Sequence, residues 1–194
     1  MQKNYLKMKQ LITLTFFLLT FTAFAQKPCE YSANVTDSIG TYKITNEYLV
    51  SEKNFGGTSN YVFFALAQTD GLPTLNLQLI QKSKDFIKAN CFDKNSRVFL
   101  QLQNGKVVTL IHIDQENCGT LIHDKDVNNR INTGIFMFMK DNFEELKNSP
   151  VTMMRIKYLT ATEDYIIKSE LTSEMNNKVY KPDTYFMDNI RCVE

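Results

Sequence analysis

Tryptophan is absent from the 194 residues, histidine occurs twice, and there is no Cys-x-x-Cys, Gly-x-Ser-x-Gly or Gly-Lys-Ser/Thr run. Each absence removes a chemistry. Without Cys-x-x-Cys there is neither a thioredoxin-type redox pair nor a zinc knuckle. Without a Gly-x-Ser-x-Gly elbow no serine is set up as an exposed nucleophile. Phe55-Gly56-Gly57 lacks a following Gly-Lys-Ser/Thr, so it is not a phosphate loop. The lack of tryptophan weakens a sugar-stacking surface. Like charges run to two residues at most, which leaves no basic stripe for nucleic acid and no polybasic patch for anionic lipid.

Long apolar runs are missing too, except at the start. Lys3, Lys7 and Lys9 precede an uncharged, largely apolar stretch of 14 residues, Leu11 to Phe24, and Ala23-Phe24-Ala25 offers a small-x-small cleavage site before Gln26. A spanning helix needs about 20 apolar residues. Residues 1–25 therefore read as a cleavable secretory signal, and residues 26–194 as one β-rich domain with no transmembrane segment. The leader's three lysines taken from a total of 22 basic residues leave 19 against 21 acidic ones, a net charge of −2. The expected location is the periplasm or the exterior.

Four cysteines remain in that domain: Cys29, Cys91, Cys118 and Cys192. An even number in an exported chain reads as two disulfides with three conceivable connectivities. Hairpin register favours one of them. Asp70-Gly71 and Asn104-Gly105 suit two-residue turns, which need positive φ. The first turn sets Leu66 opposite Leu75, Phe64 opposite Leu77 and Val62 opposite Leu79, all apolar and on one face. Pro73 is the weak point, because it cannot donate to a ladder. The second turn sets Leu102 opposite Val107, Leu100 opposite Thr109 and Val98 opposite Ile111, with Arg97 opposite His112 on a half-polar face. Extended outward, that register brings Cys91 opposite Cys118 and leaves Cys29 for Cys192.

Further strands are expected at Thr41–Val50, Gly134–Lys140, Val151–Leu159 and Tyr165–Leu171, with the last pairing back on Val151–Leu159. Asp141-Asn142-Phe143-Glu144 has capping-box spacing, which predicts a short helix near 141–148 that Pro150 stops. Phe186, Ile190 and Val193 fall on one face of a helix near 183–193. Lys82–Asn90 fits helix or loop equally. The fold class is α+β, predominantly antiparallel β.

Candidate chemistry is sparse. His112 reads as a strand histidine on the half-polar face. Asp124-Lys125-Asp126-Val127-Asn128-Asn129 starts like a calcium loop, but its sixth position is Asn129 rather than Gly and its twelfth is Ile135 rather than Glu. His112, His123 and Asp114 are the remaining candidates for a metal. Tyr42, Tyr48, Tyr61, Phe63 and Phe64 form an aromatic cluster that suits either sheet core or a ligand groove.

A leader ending in Ala-Phe-Ala-Gln, then Phe143-x-x-Leu146-x-x-x-Pro150-Val-x-x-Met154-Arg155-Ile156 and a closing Ile190-Arg-Cys192-Val-Glu, resembles the small exported β-rich proteins of some environmental bacteria. That resemblance implies export and a β-rich fold, and it carries no activity, cofactor or catalytic residue. The expectation is a non-catalytic exported module that binds something or is associated with the cell envelope. Two alternatives stand beside it: a β-cup that binds a small apolar or glycan ligand, and a metal-assisted hydrolase or calcium-stabilised domain using Asp124, Asp126, Asn128 and His123.

Overall fold

A computed structural model describes residues 28–139 and 142–194. The expected leader and the capping Asp141 lie outside the described residues. The strands are β1 Tyr31–Thr36, β2 Thr41–Thr45, β3 Tyr48–Phe55, β4 Thr58–Thr69, β5 Leu72–Ser83, β6 Arg97–Leu102, β7 Val107–His112, β8 Thr120–Asp124, β9 Val127–Phe138, β10 Val151–Lys157, β11 Thr162–Ile166, β12 Leu171–Thr172 and β13 Val179–Tyr180. Helix α1 covers Asn142–Asn148. The C-terminal helical run is broken: a 3-10 turn at Pro182–Thr184, helix α2 at Tyr185–Asn189 and a second 3-10 turn at Ile190–Val193. The chain is α+β, dominated by one antiparallel sheet.

The sheet runs β1-β2-β4-β5-β9-β7-β6-β10-β11, with β3 also on β4 and β8 also on β9. Strands β2 and β3 share one edge of β4 and follow each other almost directly. They act as a single path bent at Asn46-Glu47, where the hydroxyl of Thr45 accepts the Leu66 amide at 3.0 Å. The β3–β4 turn is Gly56-Gly57, with φ of +59° and +78°. A two-residue hairpin turn of this hand requires positive φ at both central residues, and glycine supplies it without steric cost.

The first hairpin follows its expected register, with Leu66–Leu75, Phe64–Leu77 and Val62–Leu79 opposite each other in an unbroken ladder from Thr58–Ser83 to Thr69–Leu72. Pro73 faces Gln68 at a position whose N–H would point away from β4, and β9 stops short of it at Thr74–Met137. The second hairpin is slipped by one residue. Val98 faces Leu110 and Leu100 faces Val108. The turn holds three residues instead of two: Leu102 N–H bonds the Lys106 carbonyl at 2.8 Å, Gly105 N–H bonds the Leu102 carbonyl at 3.0 Å, and Gly105 takes φ +85°. A one-residue slip exchanges the faces of a strand. Val108, Leu110 and His112 therefore point into the core, and His112 is buried rather than on the half-polar face.

The register steps back by one before the disulfide. Phe92 and Asn117 exchange backbone hydrogen bonds of 2.7 and 3.0 Å, and beside them Cys91 is bonded to Cys118. Cys29 is bonded to Cys192. Strand β11 begins at Thr162, earlier than the expected Tyr165–Leu171. A tight turn (Tyr158 N–H to the Ala161 carbonyl, 2.9 Å) reverses the chain at once and sets Arg155 opposite Asp164.

One face of the sheet carries Val62, Phe64, Leu66, Leu75, Leu77, Phe136, Leu110, Leu100 and Met154, all buried. The C-terminal run packs on it: Phe186, Ile190 and Val193 are 0–2 % exposed, and the Phe186 ring lies 5.6 Å from Phe64 and 6.2 Å from Phe138. The other end of this face is polar, and Lys84–Asn90 crosses it as irregular chain. Three alternate residues of β9 hold that segment by its carbonyls. Asn128 donates to Lys84 and Asp85, Arg130 to Ile87, and Asn132 to Asn90. Side chains two apart share a face, so this row of donors does the work of a paired strand.

Candidate functional site

On the opposite, outer face β4, β5 and β9 form two cross-strand rows, Ala65–Asn76–Ile135 and Phe63–Gln78–Thr133. These rows floor a groove of about 550 Å³. Ile44 and Ser32 of the β1–β2 hairpin form one wall, with Glu47 at its lip, and Asp114 stands on the other wall. The small side chain of Ala65 leaves the depth. The Asp114 loop is fixed to β9 by Ile113 N–H to the Ile135 carbonyl at 3.0 Å and by Asn117 Nδ2 to the Thr133 carbonyl at 2.9 Å. The Cys91–Cys118 disulfide ties the same loop from behind.

The polar side chains of the floor are the amides of Asn76 and Gln78 and the hydroxyl of Thr133. Gln78 Nε2 donates to Glu47 at 3.2 Å. Asn76 Oδ1 is buried and has no hydrogen-bond partner among the described residues. Burying such an oxygen unpaired costs about 1–3 kcal/mol. Of the five aromatic residues singled out in the sequence, Phe63 lines the groove. Phe64 and Tyr48 pack against Tyr185, with ring centroids 5.5 and 5.0 Å away. Tyr61 stacks beside Phe63 at 6.5 Å, and Tyr42 is exposed.

The other sequence candidates do not come together. Asp124 to Val127 is a two-residue turn with Lys125 at φ +53°, so Asp124, Asp126 and Asn128 are spread along a hairpin and do not wrap an ion. Asn128 is spent on the Lys84 and Asp85 carbonyls, and His123 contacts Asn128 at 3.1 Å. Among the described residues no three His, Cys, Asp or Glu side chains converge to hold a metal.

A second cleft, of about 540 Å³, lies between β3 and β11 and carries charges of both signs, with Glu52, Lys53, Glu163 and Lys168 on its walls. Its acids are largely engaged within the protein. Glu163 accepts from Asn90 at 2.7 Å and from Tyr165 at 2.6 Å, and Asp164 is paired with Arg155. Burial raises the Tyr158 and Tyr165 phenols far above their ordinary range, so both stay protonated and serve as donors.

His112 has a structural environment. Its Nδ1 lies 3.0 Å from the Asp93 carbonyl, which can only accept, so Nδ1 carries the proton. Nε2 is buried without a partner, and the ring sits 5.4 Å from Phe92 and 5.2 Å from Phe136. Desolvation holds the imidazole below its ordinary value of 6.5, against smaller upward pulls from the Asp93 carbonyl and the charges of Asp114 and Asp93. The folded state therefore binds this proton later than the unfolded state. The resulting stability is whole above about pH 6.5 and is lost as pH falls toward the lower folded value. Thermal melts at pH 7 and pH 5 should show a drop in the parent that is reduced in His112→Leu; an equal drop in both would place the acid sensitivity elsewhere.

Family models, curated protein sequences and solved structures were all compared with the chain, and none matches it. The site rests on its own geometry.

Proposed function

We propose that the chain is exported and that, freed of residues 1–25, it works as a non-catalytic binding module which takes a small, partly apolar ligand into the outer groove. The observation that carries this reading is the groove itself, a largely apolar floor set between the β1–β2 hairpin and the Asp114 loop. A volume of about 550 Å³ falls within the range of small-molecule sites, and an apolar lining with a few placed polar groups is their usual composition. Two supports bear on export. Both disulfides need an oxidising compartment to persist, and among the described residues no helix is long and apolar enough to cross a membrane.

The test is a thermal-shift screen of the domain against diverse small molecules, with hits mapped by amide chemical shifts. Hits should perturb Ala65, Asn76 and Ile135. The Asn76→Leu variant should melt higher, by about 1 kcal/mol or about 3 °C. A flat response across the library, or hits that map to the β3–β11 cleft, would overturn the reading.

A further inference from the structure

The charges around the groove define its ligand more narrowly. Among the described residues, Glu47 and Asp114 are the charged residues that line it, both acidic, both exposed and on opposite walls, and no lysine or arginine lines it. Between them the floor offers Phe63, Ala65 and Ile135, with the unpaired acceptor of Asn76 below. Gln78 donates to Glu47 and so holds that carboxylate over the floor, while Asp114 accepts the neighbouring Gln115 amide at 2.7 Å. An anionic ligand would meet two like charges, with no cation among the described lining residues to offset them. A ligand with an apolar body and a protonated amine fits both features: its body covers the floor and its charge is attracted by both walls.

We infer that the groove selects amphiphilic primary amines over the matching alcohols and acids. This inference rests on the groove being a ligand site, and one experiment distinguishes the failure of either. Octylamine, octanol and octanoate share one apolar body and differ in the polar group. Each would be titrated into the oxidised domain at pH 7 and low salt, with affinities read from the amide shifts of Ala65, Asn76 and Ile135. Exposed ion pairs contribute a factor of about 2–5 each, so octylamine should bind about tenfold more tightly than octanol, and octanoate more weakly than either. Raising the salt to about 0.5 M should remove most of the amine's advantage.

The double variant Glu47→Gln, Asp114→Asn alters two exposed side chains and keeps their shapes. It should lose the preference for octylamine, binding octylamine and octanol within about a factor of two of each other. Equal binding of octylamine and octanol by the parent, or tighter binding of octanoate, overturns the amine selectivity and leaves the groove as an apolar site. Failure of all three to perturb the groove overturns both readings.

Discussion

Replacing Cys29 and Cys192 together by alanine is expected to remove about 5 kcal/mol of stability, the chain-entropy value for a bridge spanning 163 residues. Domains of this size are stable by about 5–15 kcal/mol in total, so the loss is a third of the margin or more. The native contacts around the bridge make the effect local as well as entropic. Tyr31 donates its hydroxyl to the Cys192 carbonyl at 2.8 Å, and Gln68 donates to the Val193 carbonyl at 3.2 Å. These two bonds hold the last residues of the chain against β1 and β4. Without the bridge, these two bonds, the Lys147–Glu194 ion pair and the packing of Phe186, Ile190 and Val193 keep the end of the chain under the sheet, and the C-terminal run should be the first part to exchange its amides. Urea unfolding of the oxidised double variant measures the loss directly, and the slope against denaturant should rise because the uncrosslinked denatured chain is more open. A midpoint equivalent to a change under about 1 kcal/mol would show that the cross-link constrains little that the sheet does not already fix.

Phe92→Ala should cost about 3–5 kcal/mol, the range for emptying a large aromatic site in a packed core. Phe92 is fully buried, with its ring 5.0 Å from Tyr158 and 5.4 Å from both His112 and Phe136. Gly134 passes beneath it, and a Cβ there would come within 3.0 Å of the Phe92 ring and 2.8 Å of Phe136. Glycine is required at that point because two rings occupy the space a side chain would take. The site also lies directly behind the groove, since Gly134 sits between Thr133 and Ile135. Truncation should therefore weaken ligand binding as well as stability, through a loosened β9 and Asp114 loop. Ile39→Ala, at a residue 91 % exposed, is the matched control and should leave the melting temperature unchanged. A Phe92→Ala domain that melted with the control would mean that the neighbouring rings collapse into the vacated space.

The sequence carried the β4–β5 hairpin fully because two constraints agreed there. Asp70-Gly71 favours one turn length, and a single register puts leucines opposite apolar partners on one face only. Asn104-Gly105 was ambiguous for a physical reason. Glycine at positive φ serves a three-residue turn as well as a two-residue one, and Val107-Val108 and Leu110-Ile111 are apolar on both faces. Either register looked buried, so the slip that turns His112 inward left no mark in the pattern. The Gly56-Gly57 hairpin was readable in principle, because two adjacent glycines between alternating residues are a hairpin signal. The row formed by Asn128, Arg130 and Asn132 carries no sequence signal, since nothing local shows that their partners are carbonyls of residues 84–90. The groove was hidden altogether. Ala65, Asn76 and Ile135 belong to no motif, and they meet only because β4, β5 and β9 lie side by side.

The covalent path through the molecule is shorter than the order of residues suggests. Strands β3, β4 and β5 follow one another through two-residue turns, and pairing them closes only small loops. The seam between β5 and β9, which carries half of the groove floor, has to close over everything from Lys84 to Asp126. The Cys91–Cys118 bond cuts across that stretch. A walk along bonds from Ser83 to Val127 leaves the backbone at Cys91, rejoins it at Cys118 and skips most of the residues between. A contact that is distant along the chain becomes nearly a neighbour along the bonds, and the entropy lost in closing it falls with the length removed.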